Sequence, residues 1–96
     1  MKIQHIHDDK GGRFYMDEED GGTTELLYRT QGPEKMIIDH TEVDEIHEGK
    51  GIGRQLVAEA INYARSRNMK VVPMCRFAKA IMERSDEYKD ILAGYP

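Results

Sequence analysis

The chain changes period once, and three glycines mark the change. Up to Val43 its apolar residues fall in short strand-like runs. From Ile52 onward, Ile52, Leu56, Val57, Ala60, Ile61 and Ala64 recur at helical spacing, with Arg54, Glu59, Asn62 and Arg65 on the other side. Between the two regimes lies Glu48-Gly49-Lys50-Gly51-Ile52-Gly53-Arg54. Glycines at alternate positions clear the backbone of side chains just upstream of the helical run from Gln55 to about Arg67. A helix start carries N–H groups without intrahelical partners and the positive end of the helix dipole, so it favours a phosphate or pyrophosphate. A tight turn with nothing bound uses the same glycines, and their spacing alone leaves both readings open.

What precedes the glycines reads as four strands. Lys2 to His7 is a short edge strand, with Ile3 and Ile6 out of phase, and Asp8 to Gly12 a turn. Arg13 to Asp17 returns as a second strand with Phe14 and Met16 on one face, and Glu18 to Gly22 is a second hairpin turn. Thr23 to Thr30 is a third strand, with Leu26 and Tyr28 facing opposite to Leu27 and Arg29. After a turn at Gln31 to Glu34, Lys35 to Val43 is the fourth, and its run Met36-Ile37-Ile38 predicts burial on both faces and hence a central position. Short turns between them predict an antiparallel meander.

Beyond the helix, Asn68 is a candidate C-cap and Lys70 to Met74 a fifth strand, parallel to the fourth because a helix intervenes. Pro73 lacks an N–H, so the fifth strand parts from the fourth around that residue. Phe77 to Arg84 is a short helix, and Glu87 to Leu92 another turn or two. The predicted order is β-β-β-β-α-β-α, an α+β chain with a mixed, mostly antiparallel sheet splayed between strands 4 and 5.

Ninety-six residues predict one domain over 1–96, since either half alone is too small for a core. A net charge of −4 argues against nucleic acid, although Arg54, Arg65, Arg67 and Lys70 make the helix and its exit locally basic. No apolar run approaches the ~20 residues that span a bilayer, so no membrane partner is expected. A lone cysteine forms no internal disulfide, and with no signal-like leader the expected location is cytoplasmic.

The glycine loop is not a Walker loop, because Lys50 is followed by Gly51 and Ile52 rather than Ser or Thr. Nor does it follow the first strand of a dinucleotide-binding unit. The order β-β-β-β-α-β-α with Gly51 and Gly53 resembles the acyl-CoA-binding core of the GNAT N-acetyltransferase superfamily, whose loop is usually Arg/Gln-x-x-Gly-x-Gly/Ala. Glu48 stands where that pattern has Arg or Gln. The segments Ile38-Asp39-His40-Thr41-Glu42-Val43 and Pro73-Met74-Cys75-Arg76-Phe77-Ala78, with Tyr88 in the tail, resemble the small stand-alone members of about a hundred residues (the YjdJ-like group).

The resemblance implies acetyl-CoA as co-substrate, held at Val43, Gly49, Lys50, Gly51, Ile52, Gly53, Arg54 and Phe77, and a primary amine of unspecified identity as acceptor. A pantetheine arm could run as an extra strand where the fourth and fifth strands splay. Transfer to an amine is helped by a base, a donor to the thioester oxygen and an acid for the thiolate. A backbone N–H near Val43 is the candidate donor, and Glu42 or His40 the candidate base. Superfamily members often place an acidic tyrosine after the fifth strand; here the region reads Cys75-Arg76-Phe77, leaving Cys75 as acid, acyl acceptor or plain small residue.

No metal is expected: His5, His7, His47 and Cys75 have no ligand spacing, and Asp17 to Asp20 lacks a calcium-loop pattern. Two other readings stand beside transfer. One is a non-catalytic acyl-CoA-binding or sensing module; the other is a protein-interaction domain whose glycines form only a turn.

Overall fold

The computed structural model describes residues 3–16, 23–44 and 49–93. Five strands form one sheet in sequence order: β1 (Ile3–His7), β2 (Gly11–Met16), β3 (Glu25–Gln31), β4 (Lys35–Glu42) and β5 (Lys70–Pro73). The first four pair antiparallel as a meander, and β5 joins β4 in parallel through helix α1 (Ile52–Ser66). Helix α2 (Arg76–Arg84) and a 3-10 turn at Asp86–Tyr88 follow. The β-β-β-β-α-β-α order read from the sequence is the order of the fold.

The alternation of β2 and β3 puts Phe14, Leu26 and Tyr28 on one face, and β4 and β5 add Met36, Ile38 and Val71. Onto that face α1 lays Leu56, Val57, Ala60, Ile61 and Ala64, while α2 contributes Ala78 and Met82. Each fully buried aliphatic side chain here contributes roughly 1.5–3 kcal/mol of transfer free energy. Ile37 and Val72 pair across the β4–β5 ladder and are also buried, so β4 is covered on both faces at its centre, as its apolar run requires.

Several boundaries differ from the sequence reading. Gly11 and Gly12 belong to β2, and the preceding turn shrinks to Asp8, Asp9 and Lys10. The Asp8 carboxylate accepts from the backbone N–H groups of Lys10 (2.8 Å) and Gly11 (3.1 Å), which closes that turn with neither Gly11 nor Gly12 in the left-handed region. The two glycines serve packing instead: a Cβ on Gly11 would strike the Tyr28 carbonyl oxygen, and one on Gly12 would lie 2.5 Å from the Tyr28 hydroxyl. The hairpin expected at Glu18 to Gly22 lies outside the described residues.

Helix α1 ends one residue earlier than Asn68, with Arg67 at the cap. Asn68 follows in the left-handed conformation at φ 57°. Its N–H donates to Arg65 O at 3.2 Å and that of Met69 to Ala64 O at 2.8 Å, the paired bonds of a Schellman stop, with Met69 buried behind it. The tail is not helical through Leu92. Val71 N–H donates to Ile91 O and Ala93 N–H to Val71 O, both at 2.8 Å, so this segment covers the outer edge of β5.

Candidate functional site

The site begins where β4 and β5 part. Their ladder ends at the pair Ile38↔Pro73, and the N–H groups of Met74 and Cys75 both donate to Ile38 O, at 3.0 and 3.1 Å. A proline at this point has no N–H with which to extend the ladder. β4 itself continues to Glu42, past the point where β5 leaves it. One step further, β4 bulges against β3: Tyr28 pairs with Ile38 but Leu27 pairs with His40, so Asp39 is extra. Arg29 holds this residue through a 2.8 Å bond from Nε to the Asp39 carboxylate.

The bulge resets which side chains share a face. Thr41 comes opposite core-facing Leu26, whereas His40 comes opposite Leu27 and Glu42 opposite Glu25. Thr41 therefore belongs to the α1 side of the sheet, and His40 and Glu42 to the open side.

On the α1 side is a cavity of about 360 Å³. Thr41 and Val43 line it from β4, Gly49, Gly51, Ile52, Gly53 and Arg54 from the glycine turn and the start of α1, and Phe77 from α2. Lys50 is exposed between two of the lining glycines and is not itself a wall residue. Thr41 has no signal in the sequence, because its facing depends on the bulge.

The glycines do different things. Gly49 and Gly51 have φ of 79° and 76°, in the left-handed region, and a Cβ on either would meet only open space. Their conformation turns the chain and leaves the backbone there bare of side chains. A Cβ on Gly53 would lie 2.5 Å from the tip of the Phe77 ring and 3.2 Å from Val43 Cγ2, so this glycine gives clearance. Gly51 stands at the N-cap position of α1 with no side-chain hydrogen bond, and the Gln55 N–H donates to Gly51 O at 3.1 Å. The first turn contains no acidic residue and includes Arg54. Dipole, backbone donors and guanidinium thus add with the same sign at the cavity mouth. Glu48, the departure from the family pattern, lies outside the described residues.

On the open side, His40 Nε2 stands 3.9 Å from Glu42 Oε2, and both side chains are about half exposed. Glu25 completes a group missed by the sequence reading: one ligand-type atom from each of Glu25, His40 and Glu42 lies within 4.8 Å of the others. It was invisible because Glu25 is distant in sequence and joins the group only through the β3–β4 register. Cys75 is elsewhere. Its thiol donates to Thr41 Oγ1 at 3.3 Å, on the side opposite to His40 and Glu42. The candidate catalytic residues are therefore divided between two faces of one strand.

The histidines of β1 have a structural setting. His5 stacks on Phe14 with centroids 3.9 Å apart and on His7 at 4.8 Å, and its Nε2 meets the Tyr28 hydroxyl at 2.6 Å. Burial, then the charges of His7 and Arg67, holds the His5 imidazole below its usual protonation range. Burial and the adjacent Tyr63 push the Tyr28 phenol far above its own. Tyr88 is also raised, first by its hydrogen bond with Glu87 and then by burial, with Arg65 and Arg54 opposing. His47 lies outside the described residues.

This sheet order, a β4–β5 split and a glycine-started helix define a GCN5-related N-acetyltransferase fold. The sequence profile of the GCN5-related N-acetyltransferase family matches residues 13–91, and the chain belongs to that family. It is similar to a GCN5-like candidate N-acetyltransferase from Staphylococcus aureus whose solution structure is known. The two share 31% identity over 99% of this chain and 90% of that one, with a TM-score of 0.75. No functionally curated protein matches the chain. Among the described residues, no helix is long and apolar enough to cross a membrane.

Proposed function

We propose that residues 1–96 act as one unit that binds acetyl-CoA and transfers its acetyl group to a primary amine. The observation that carries this reading is the uncapped start of α1, with two left-handed glycines and Arg54, opening on a cavity beside the β4–β5 split.

The N–H groups of residues 49–54 and the Arg54 guanidinium would hold the pyrophosphate. The edge of β4 beyond Ile38 would pair with the amides of the pantetheine arm, as a strand pairs with a neighbour. Phe77 and Val43 would line the apolar part of the arm, and the backbone at Val43 would donate to the thioester oxygen. The acceptor would approach from the open face, where Glu42 or His40 accepts its proton. The amine nitrogen bonds to the acyl carbon, the carbon–sulfur bond breaks, and the thiolate takes a proton. Cys75, whose thiol donates to the cavity-lining Thr41, is the candidate source of that proton.

A second reading is a non-catalytic acyl-CoA-binding module. The division of Cys75 from His40 and Glu42, and the lack of a tyrosine directly after β5, favour it. Acetyl-CoA titrated into isotopically labelled protein should shift the amides of Val43 and Gly49 to Arg54; unchanged resonances there refute both readings. Turnover over a panel of amines then separates enzyme from binder.

A further inference from the structure

We propose that Thr24 is a positioning residue for the acyl group: its hydroxyl holds the Asp44 N–H toward β3 and thereby aims the Val43 N–H into the gap left by β5. This rests on the acetyl-CoA reading above. Thr24 is buried, at 1% exposure, and its Oγ1 accepts from the Asp44 N–H at 3.0 Å. A buried hydroxyl costs free energy unless it is bonded, and valine would fill the same space without one. The backbone pairing of β3 with β4 ends at Glu25↔Glu42, and beyond it this side chain takes over from the ladder. Thr24 is itself fixed from β2, since its carbonyl accepts from the Met16 N–H at 3.1 Å.

Backbone groups of successive residues in an extended strand point to opposite edges. Glu34 O accepts from the Lys70 N–H at 2.7 Å, and Ile38 O accepts from Met74 and Cys75, so residues 34, 36 and 38 address β5. Unbroken alternation would give residues 40, 42 and 44 that same edge. The Asp44 N–H instead donates toward β3, because the extra residue at Asp39 has reversed the phase. Val43, one residue earlier, therefore turns its N–H to the opposite edge. The β4–β5 ladder has already ended at Ile38↔Pro73, so that edge is the split. The bond from Asp44 to Thr24 holds the reversed phase in place.

The Val43 side chain is placed independently. It lines the cavity and meets the first turn of α1, where a Cβ on Gly53 would lie 3.2 Å from Val43 Cγ2. Side-chain packing thus sets where Val43 sits, and Thr24 sets which way its amide points. A thioester carbonyl in the split would accept from an N–H already aimed at it, with no reorganisation at the moment of transfer. Without the hydroxyl, the short segment after the bulge can turn, and the Val43 amide loses its aim while the cavity wall stays.

The experiment compares amide spectra of labelled wild type, Thr24→Val and Thr24→Ser with CoA and with acetyl-CoA. CoA has the same pantetheine arm but no thioester carbonyl, so in wild type the Val43 amide proton should move further downfield with acetyl-CoA than with CoA. Thr24→Val should lose that difference while the shifts at residues 49–54 persist, and Thr24→Ser, which keeps the hydroxyl, should retain it. Where an amine is turned over, Thr24→Val should lower kcat by up to about a hundredfold, the scale of a ~1 Å misplacement, with the KM for acetyl-CoA little changed. Should Thr24→Val fail to fold, Thr24→Cys, whose thiol is a weak acceptor, replaces it. Equal Val43 shifts with the two ligands in wild type, a difference that survives in Thr24→Val, or a loss confined to KM overturns the proposal while acetyl-CoA binding stands. Absence of shifts at residues 49–54 with either ligand refutes the binding reading itself, and this inference with it.

Discussion

Gly53→Ala should separate stability from ligand binding. Glycine inside a helix is about 1 kcal/mol less favourable than alanine, so on backbone grounds the substitution stabilises α1. Against this, the new methyl would lie 2.5 Å from Phe77 Cζ and 3.2 Å from Val43 Cγ2. The first contact is with the tip of a side chain that is 42% exposed and free to swing outward. Moving it costs about 0.5–1.5 kcal/mol if it leaves its rotamer well. The terms nearly cancel, and the unfolding free energy should change by less than about 1 kcal/mol. The ligand side does not cancel, because the methyl and the displaced Phe77 ring both change the wall of a 360 Å³ cavity. Acetyl-CoA affinity should fall by at least about tenfold, or ~1.4 kcal/mol. Chemical denaturation and calorimetric titration measure the two quantities. An unaltered affinity at unaltered stability would show that Gly53 does not face the ligand. A large loss of stability would show that Phe77 cannot yield.

Gly51→Ala should behave oppositely, losing about 1–2 kcal/mol in denaturant melts because φ is 76° although its Cβ would meet nothing. Thr24→Val should cost about 1–3 kcal/mol in the same assay: Thr24 is buried and its hydroxyl accepts from the Asp44 N–H at 3.0 Å, just past Val43. The folded-state pKa of His5 is depressed below 6.5, so neutral His5 contributes stability that is present above that pH and lost as pH falls through the folded-state value. The melting temperature should accordingly drop more steeply below pH 6.5 in wild type than in His5→Phe; parallel profiles would remove His5 as the cause. Cys75→Ala tests the thiol: undiminished turnover would exclude it as acid or acyl acceptor.

Periodicity and breaker residues were enough for most of the fold. Alternation placed Phe14, Leu26 and Tyr28 on one face, and Met36-Ile37-Ile38 marked the central strand because burial on both faces demands an unbroken apolar run. Pro73 marked the end of the β4–β5 ladder because a residue without an N–H cannot extend it. Gly11 and Gly12 misled, since glycine in a turn and glycine under a neighbouring strand look alike until Tyr28 is seen above them. Around the cavity, Gly49, Gly51, Gly53 and Arg54 were legible as a helix start with bare backbone. Thr41, Thr24 and Glu25 were not, because each depends on a partner brought near by strand pairing.

By itself the sequence determined what is local: the single change of period, the helix start that favours an anion, and the residue that ends a ladder. These follow from one residue's backbone chemistry or from spacing within a few turns. Only the tertiary structure decided on which side each candidate group stands. The extra residue at Asp39 shifts the β3–β4 register, turns Thr41 to the cavity and within reach of the Cys75 thiol, and turns His40 and Glu42 to the open face with Glu25. A one-residue shift inverts every later side chain of a strand, and no pattern within β4 alone reveals that it has occurred.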